Sequence, residues 1–157
     1  MIVTIRTGVR VAIDVGGARV GVAASDPEGT LAFPVAVLKR DLRSQHDLEE
    51  LVALILERGA IEVIVGLPQT LRARDSSSTL DARTYAAALA ARIRPVPVRL
   101  VDERLSTVSA QKQLRAAGRD TKQSRAVIDA AAAVVLLETA LDRERNTGAP
   151  AGEQVLP

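Results

Sequence analysis

The spacing of apolar and polar residues changes period several times along the chain, and each change predicts an element. Residues 9–15, Val-Arg-Val-Ala-Ile-Asp-Val, are rich in β-branched side chains and run into Gly16-Gly17, which predicts a strand entering a tight turn. Residues 19–25 follow at once and predict the returning arm of an antiparallel hairpin. Asp26-Pro27-Glu28-Gly29 is a second turn and residues 33–38 a third strand, so a meander of three strands precedes any helix. In residues 41–58 the period becomes helical: Leu48, Leu51, Val52, Ile55 and Leu56 share a face, and Gly59 stands where a helix ends.

Residues 61–65 form a short apolar run ending at Gly66-Leu67-Pro68, and its return through a helix predicts parallel pairing inside a sheet. Residues 69–78 read as a polar loop, residues 79–93 as an Ala-rich helix stopped by Pro95 and Pro97, and residues 98–101 as a fifth strand running into Asp102-Glu103-Arg104. Two further helices are predicted over 108–117 and 124–141. The expected organisation is one domain over residues 1–142 and a flexible C-terminal tail over 143–157, where Gly148, Pro150, Gly152 and Pro157 interrupt any periodicity. Strands and helices in this order predict an α/β fold with a mixed sheet; a doubly wound sheet would alternate from the start.

Composition narrows the chemistry. The 157 residues contain no Cys and one His, which excludes thiolate catalysis, Cys-ligated zinc, iron–sulfur clusters and disulfides. With Phe33 and Tyr85 as the sole aromatics, stacking of bases on aromatic platforms is nearly excluded. The longest apolar run, Ala130 to Leu137, is far below the roughly 20 residues that span a bilayer. Nothing at the N-terminus resembles a secretory leader, so a cytoplasmic protein with no membrane partner is expected.

Carboxylates at three places in the chain stand out. Asp14 interrupts an apolar strand, on the face of Arg10 and Ala12 and opposite Val11, Ile13 and Val15. Burying its charge without a partner costs several kcal/mol; the plainer alternative is a turn aspartate capping Gly16 and Gly17. Asp102 and Glu103 end the fifth strand at the carboxyl edge where parallel sheets bind ligands, and alternation lets one of the two share a side with Asp14. A surface ion pair with Arg104 is the competing account. Asp129 shares a helical stripe with Ala132, Ala133 and Leu136, among small residues that allow close approach to a sheet. A role at a helix N-terminus is weakened by Ser124, a better cap more than a turn earlier. Carboxylates from neighbouring strands, about 4.8 Å apart, and a third from a helix packed on them can converge. Such a set repels itself unless a cation neutralises it, and all-oxygen ligation suits Mg2+ or Mn2+, which can activate water against a phosphodiester.

The charge pattern suggests what meets that site. The whole chain carries a net +2, yet residues 104–125 hold six basic side chains (Arg104, Lys112, Arg115, Arg119, Lys122, Arg125) against Asp120 alone. A solvated helix face is the common explanation of such a run. Its position between Glu103 and Asp129 favours phosphate contacts. Arg104, Lys112, Arg115, Lys122 and Arg125 are therefore candidate nucleic-acid contacts, joined by Arg19, with Arg72 and Arg74 extending the footprint. His46 reads as a surface residue near a helix start.

Taken together, Asp14-Val-Gly-Gly-Ala-Arg-Val-Gly-Val-Ala-Ala-Ser-Asp26, Ile64-Val-Gly-Leu-Pro68, Asp102-Glu-Arg-Leu-Ser-Thr107 and Ile128-Asp-Ala-Ala-Ala132 resemble the YqgF family, also called RuvX or Holliday junction resolvase-like. The resemblance implies a ribonuclease H-like fold, a five-stranded sheet in the order 3-2-1-4-5, and a catalytic and metal site on Asp14, Glu103 and Asp129. It also implies a nuclease acting on pre-16S rRNA, with ribosomal particles as partners, or on branched DNA. Ala18 stands where family members usually carry Lys, and Arg72, Arg74 and Asp75 where they often carry glycines. Two other functions compete. A nucleotide-phosphate site of the actin and sugar-kinase kind would need a second domain, and a nucleic-acid-binding module without cleavage would lack the metal. The Ala-rich helices leave room for a homodimer.

Overall fold

The computed structural model describes residues 5–68, 77–103 and 122–156, the last with side chains from Ala130 onward. The strands are β1 (Arg10–Val15), β2 (Arg19–Ser25), β3 (Ala32–Lys39), β4 (Glu62–Leu67), β5 (Val98–Asp102) and β6 (Glu153–Gln154), and the helices α1 (His46–Glu57), α2 (Ser77–Arg92) and α3 (Lys122–Thr147). They build one six-stranded sheet in the order β3-β2-β1-β4-β5-β6. The meander pairs antiparallel, β4 pairs parallel with both β1 and β5, and β6 pairs antiparallel with β5. The fold class and the order of the first five strands are as expected, with a sixth strand added.

Alternation along each strand divides the core into two layers. Val11 and Ile13 of β1, Val63 and Val65 of β4, and Val98 and Leu100 of β5 pack with Leu48, Leu51 and Ile55 of α1 and with Tyr85, Ala86 and Leu89 of α2. Ala12, Ala23, Ile64 and Val101 point the other way, against Ala133, Leu136, Leu137 and Ala140 of α3. Small residues on the second face let α3 lie close across β1, β2 and β3. Pro34 is tolerated because β3 is an edge strand, and a bulge between Val22 and Ala23 absorbs the irregularity.

Two boundaries differ from the sequence reading by more than two residues. The helix expected from residue 41 begins at His46, because the Asp41 carboxylate accepts the Arg43 and Ser44 amides at 3.1 and 3.0 Å and closes a turn instead. The helix expected to end at residue 141 continues to Thr147, and Gly148 (φ 76°) terminates it. Its added turns are anchored by Glu144, 5% exposed, which receives the Arg10 guanidinium at 2.7 Å and that of Arg6 at 2.5 Å.

The residues beyond, expected as a flexible tail, are built into the sheet edge. Arg99 donates to the Ala151 and Gly152 carbonyls at 2.7 and 2.6 Å, and β6 then pairs with β5. Gly152, at φ +75° with Leu100 O only 2.1 Å from where a Cβ would stand, permits the approach. A segment held by backbone hydrogen bonds leaves no apolar period in the sequence. The helix expected over 108–117 and the loop carrying Arg72 and Arg74 lie outside the described residues.

Candidate active site

The carboxyl ends of β1, β4 and β5 lie side by side on the face covered by α3. Asp14 shares that face with Ala12, one residue past the last β1–β4 pair, Ile13 with Val65. Its partner across the hairpin is Gly21 on β2. On β4 the same parity belongs to Ile64 and Gly66, and Gly66 pairs with Val101 of β5. Glu103, just beyond β5, has Oε1 2.6 Å and Cγ 3.1 Å from where a Cβ on Gly66 would be, with Leu136 Cδ2 of α3 also at 3.1 Å. The Glu103 carboxylate thus lies over β4, on the side of Asp14 and against α3. Strands two places apart are separated by about 10 Å, and Glu103 spans half that distance because Gly66 presents no side chain.

The neighbouring Asp102 pairs in register with Leu67 and shares its parity with Val98 and Leu100, on the face of α1 and α2. Asp14 and Glu103 therefore meet one face, and Asp102 the other. Asp129 belongs to α3, seven residues before Leu136; its side chain lies outside the described residues. Among the described residues no three His, Cys, Asp or Glu side chains gather as a metal site. Asp129, the third carboxylate expected from the sequence, falls outside that set. Two carboxylates directed to one side of a sheet offer only oxygen donors, a set that fits Mg2+ or Mn2+.

Arg19 also lies on this face, half-buried, opposite Lys39 in the β2–β3 register. Lys39 was not singled out by the sequence, where it is simply the end of a strand. Arg104, Lys112 and Arg115, and the side chains of Lys122 and Arg125, lie outside the described residues.

Arg40 also escaped the sequence reading. Its amide donates to Ala18 O at 2.9 Å and its guanidinium to Gly16 O at 3.0 Å, so it ties down the turn that follows Asp14. That guanidinium is held by the Asp81 carboxylate of α2 at 2.5 and 3.1 Å and lies 5.2 Å from the Tyr85 ring centre. Tyr85 donates in turn to the buried Asp47 at 3.0 Å. Burial, then the Asp47 carboxylate, push the Tyr85 phenol well above its ordinary pKa, so it remains a donor. Thr79 of α2 donates to Pro68 O at the exit of β4. His46 is exposed at the start of α1, with Nε2 2.9 Å from Glu50.

A far-end ion network completes the electrostatics of this face. Arg6 joins Glu62 at 3.0 Å and Glu144 at 2.5 Å, and Arg10, 1% exposed, joins Glu144. Burial raises the Glu62 carboxyl above the ordinary range against the pull of Arg6. At Glu144 burial also works to raise it, but hydrogen bonds from Arg6 and the charge of Arg10 hold it below that range.

A mixed sheet with this order and this acidic edge is ribonuclease H-like. In agreement, the solved structure of "T. thermophilus RuvC in complex with Holliday junction substrate" superposes with a TM-score of 0.53 over 91% of this chain and 98% of that one, at 16% identity. The family model "RuvX: Holliday junction resolvase" matches residues 8–143, and the chain belongs to that family. A relative from Mycolicibacterium paratuberculosis is 54% identical over 146 residues, covering 93% of this chain and 87% of its own. One from Thermobifida fusca is 51% identical over 157 residues, covering 96% and 97%. Both are named "Putative pre-16S rRNA nuclease".

Proposed function

We propose that this chain is a divalent-metal-dependent nuclease for structured nucleic acid, and that its substrate is the 5′ end of pre-16S rRNA during ribosome biogenesis. The observation that carries the reading is the placement of Asp14 and Glu103 on one sheet face across Gly66, in a chain that belongs to the RuvX family. Asp14 and Glu103, with Asp129 from α3, would hold Mg2+ or Mn2+. A cation of this kind supplies Lewis acidity and lowers the pKa of bound water toward neutrality. The protein's own part is to bring the carboxylates to one place, keep Glu103 over β4, and fix the turn after Asp14 through Arg40. Arg19 and Lys39, together with the basic run from Arg104 through Lys112, Arg115 and Lys122 to Arg125, would bind phosphates and position the strand without reading bases. No described helix is long and apolar enough to cross a membrane, and the reading places the protein in the cytoplasm, where ribosomal particles supply the substrate.

Branched DNA is the second reading, favoured by the description of the matching family model. The two are separated by giving the protein a precursor of 16S rRNA and a four-way DNA junction in Mg2+ or Mn2+. Cleavage of the RNA at its 5′ extension with the junction left intact is the expected result. Cleavage of the junction alone assigns the second reading, and tight binding of either without cleavage makes the chain a binding module.

A further inference from the structure

At Gly66, β4 carries no side chain beneath the Glu103 carboxylate. We propose that Gly66 is a positioning residue for the reaction: its missing Cβ is the seat of the Glu103 carboxylate, and any larger residue there displaces the carboxylate from Asp14. The inference rests on the nuclease reading above.

Two observations point to Glu103 rather than to the backbone as the reason for glycine. Gly66 pairs regularly with Val101 inside β4, and its φ lies outside the left-handed region, so an L-residue fits the strand without strain. The nearest group to an added Cβ is Glu103 Oε1 at 2.6 Å, closer than a real Cβ tolerates, followed by Glu103 Cγ and Leu136 Cδ2 at 3.1 Å. The group that must give way is the end of a flexible side chain. Gly66→Ala should therefore leave the fold standing and move the carboxylate, whereas a glycine kept for packing alone would show its effect in stability.

The test uses the full chain and compares Gly66→Ala with wild type in Mn2+ titration calorimetry, in cleavage kinetics and in thermal unfolding. Mn2+ affinity is expected to fall about 10- to 100-fold, as when a supporting residue of a metal site is lost. Misplacing a reacting group by an ångström can cost about 100-fold in rate, so kcat should fall while KM for the nucleic acid stays near wild type. The midpoint of unfolding should move by no more than about 4 °C. A Glu103→Asp background supplies the second arm. There the shortened side chain withdraws from the methyl group, so adding Gly66→Ala should cost little further Mn2+ affinity, a non-additivity expected of groups in contact.

Wild-type affinity and kcat in Gly66→Ala would overturn the proposal. So would a full-sized penalty in the Glu103→Asp background, since the alanine would then act through something other than Glu103. If the wild-type protein itself neither binds Mn2+ nor cleaves nucleic acid, the nuclease reading fails and the proposal with it, an outcome distinct from the other two.

Discussion

Asp102 and Glu103 are neighbours of like charge at the end of one strand, and the structure separates them by a half-turn of the backbone. Glu103 faces Asp14 across Gly66, while Asp102 has the parity of Leu100 on the opposite layer. In the proposed nuclease, Glu103→Gln should reduce cleavage by more than the roughly 10- to 100-fold typical of a supporting residue, because it removes a ligand outright. It should leave stability equal or higher, since one of two mutually repelling charges is gone. Asp102→Asn should retain most of the activity; parallel cleavage assays and melts on the two variants check the contrast. Asp14 was legible in the sequence as a carboxylate within an apolar strand. The choice between Asp102 and Glu103 was open to strand alternation and settled there by resemblance, and the structure places Glu103 on the Asp14 side. Gly66 was legible as part of the Ile64–Pro68 motif but not as the seat of Glu103, and Arg40 was not legible at all. A glycine before Leu-Pro reads as a strand ending, and the Arg40–Asp81 pair joins residues 41 apart in the chain.

The elements that escaped the sequence are those held by polar contacts instead of an apolar stripe. The last turns of α3 are fixed by Arg10 and Arg6 on Glu144, and β6 by Arg99 on two carbonyls, neither of which has a period to read. The buried pair Arg10–Glu144 should consequently matter to stability. Removing one partner of a buried ion pair costs about 3–5 kcal/mol, because the other charge remains in a dry environment. Glu144→Ala is expected in that range in denaturant unfolding at neutral pH. The carboxyl of Glu144 is held below its ordinary pKa in the fold, so its contribution is complete at neutral pH and is lost as acid takes the protein through the folded value. The difference between wild type and Glu144→Ala should shrink over that acidic range. Glu62 has the opposite sign: its raised pKa makes the fold bind the proton more readily, and Glu62→Gln separates the two effects.

For the molecule as a whole, the two faces of the sheet divide the work. The layer under α1 and α2 is a conventional apolar core, whereas the layer under α3 carries the carboxylates at one end and the Arg6–Arg10–Glu62–Glu144 network at the other. Element types, the opening meander and a mixed sheet were legible because they follow from hydrophobic period and turn residues, whereas the full strand order came from the family resemblance. The convergence of β1, β4 and β5 depended on pairings between distant segments. If the basic run over 104–125 tracks a nucleic-acid backbone as proposed, neutralising Arg115 and Lys122 together should weaken binding to unrelated sequences about equally. The slope of log affinity against log salt should fall by nearly 2, each lost phosphate contact contributing about 0.7–0.9. Binding isotherms over a salt series, on two unrelated sequences, read this directly; an unchanged slope would move the track to the Arg72 and Arg74 loop.

The central claim is that Asp14, Glu103 and Asp129 form one divalent-cation site. Titration calorimetry of Mn2+ into the wild-type protein and into Asp14→Asn, Glu103→Gln and Asp129→Asn tests it without any nucleic acid present. Saturable binding by wild type that is lost in each variant, with melting temperatures equal to or above wild type, is the predicted result. Wild-type affinity in any one variant would remove that residue from the site, and absence of binding by the wild-type protein would contradict the account.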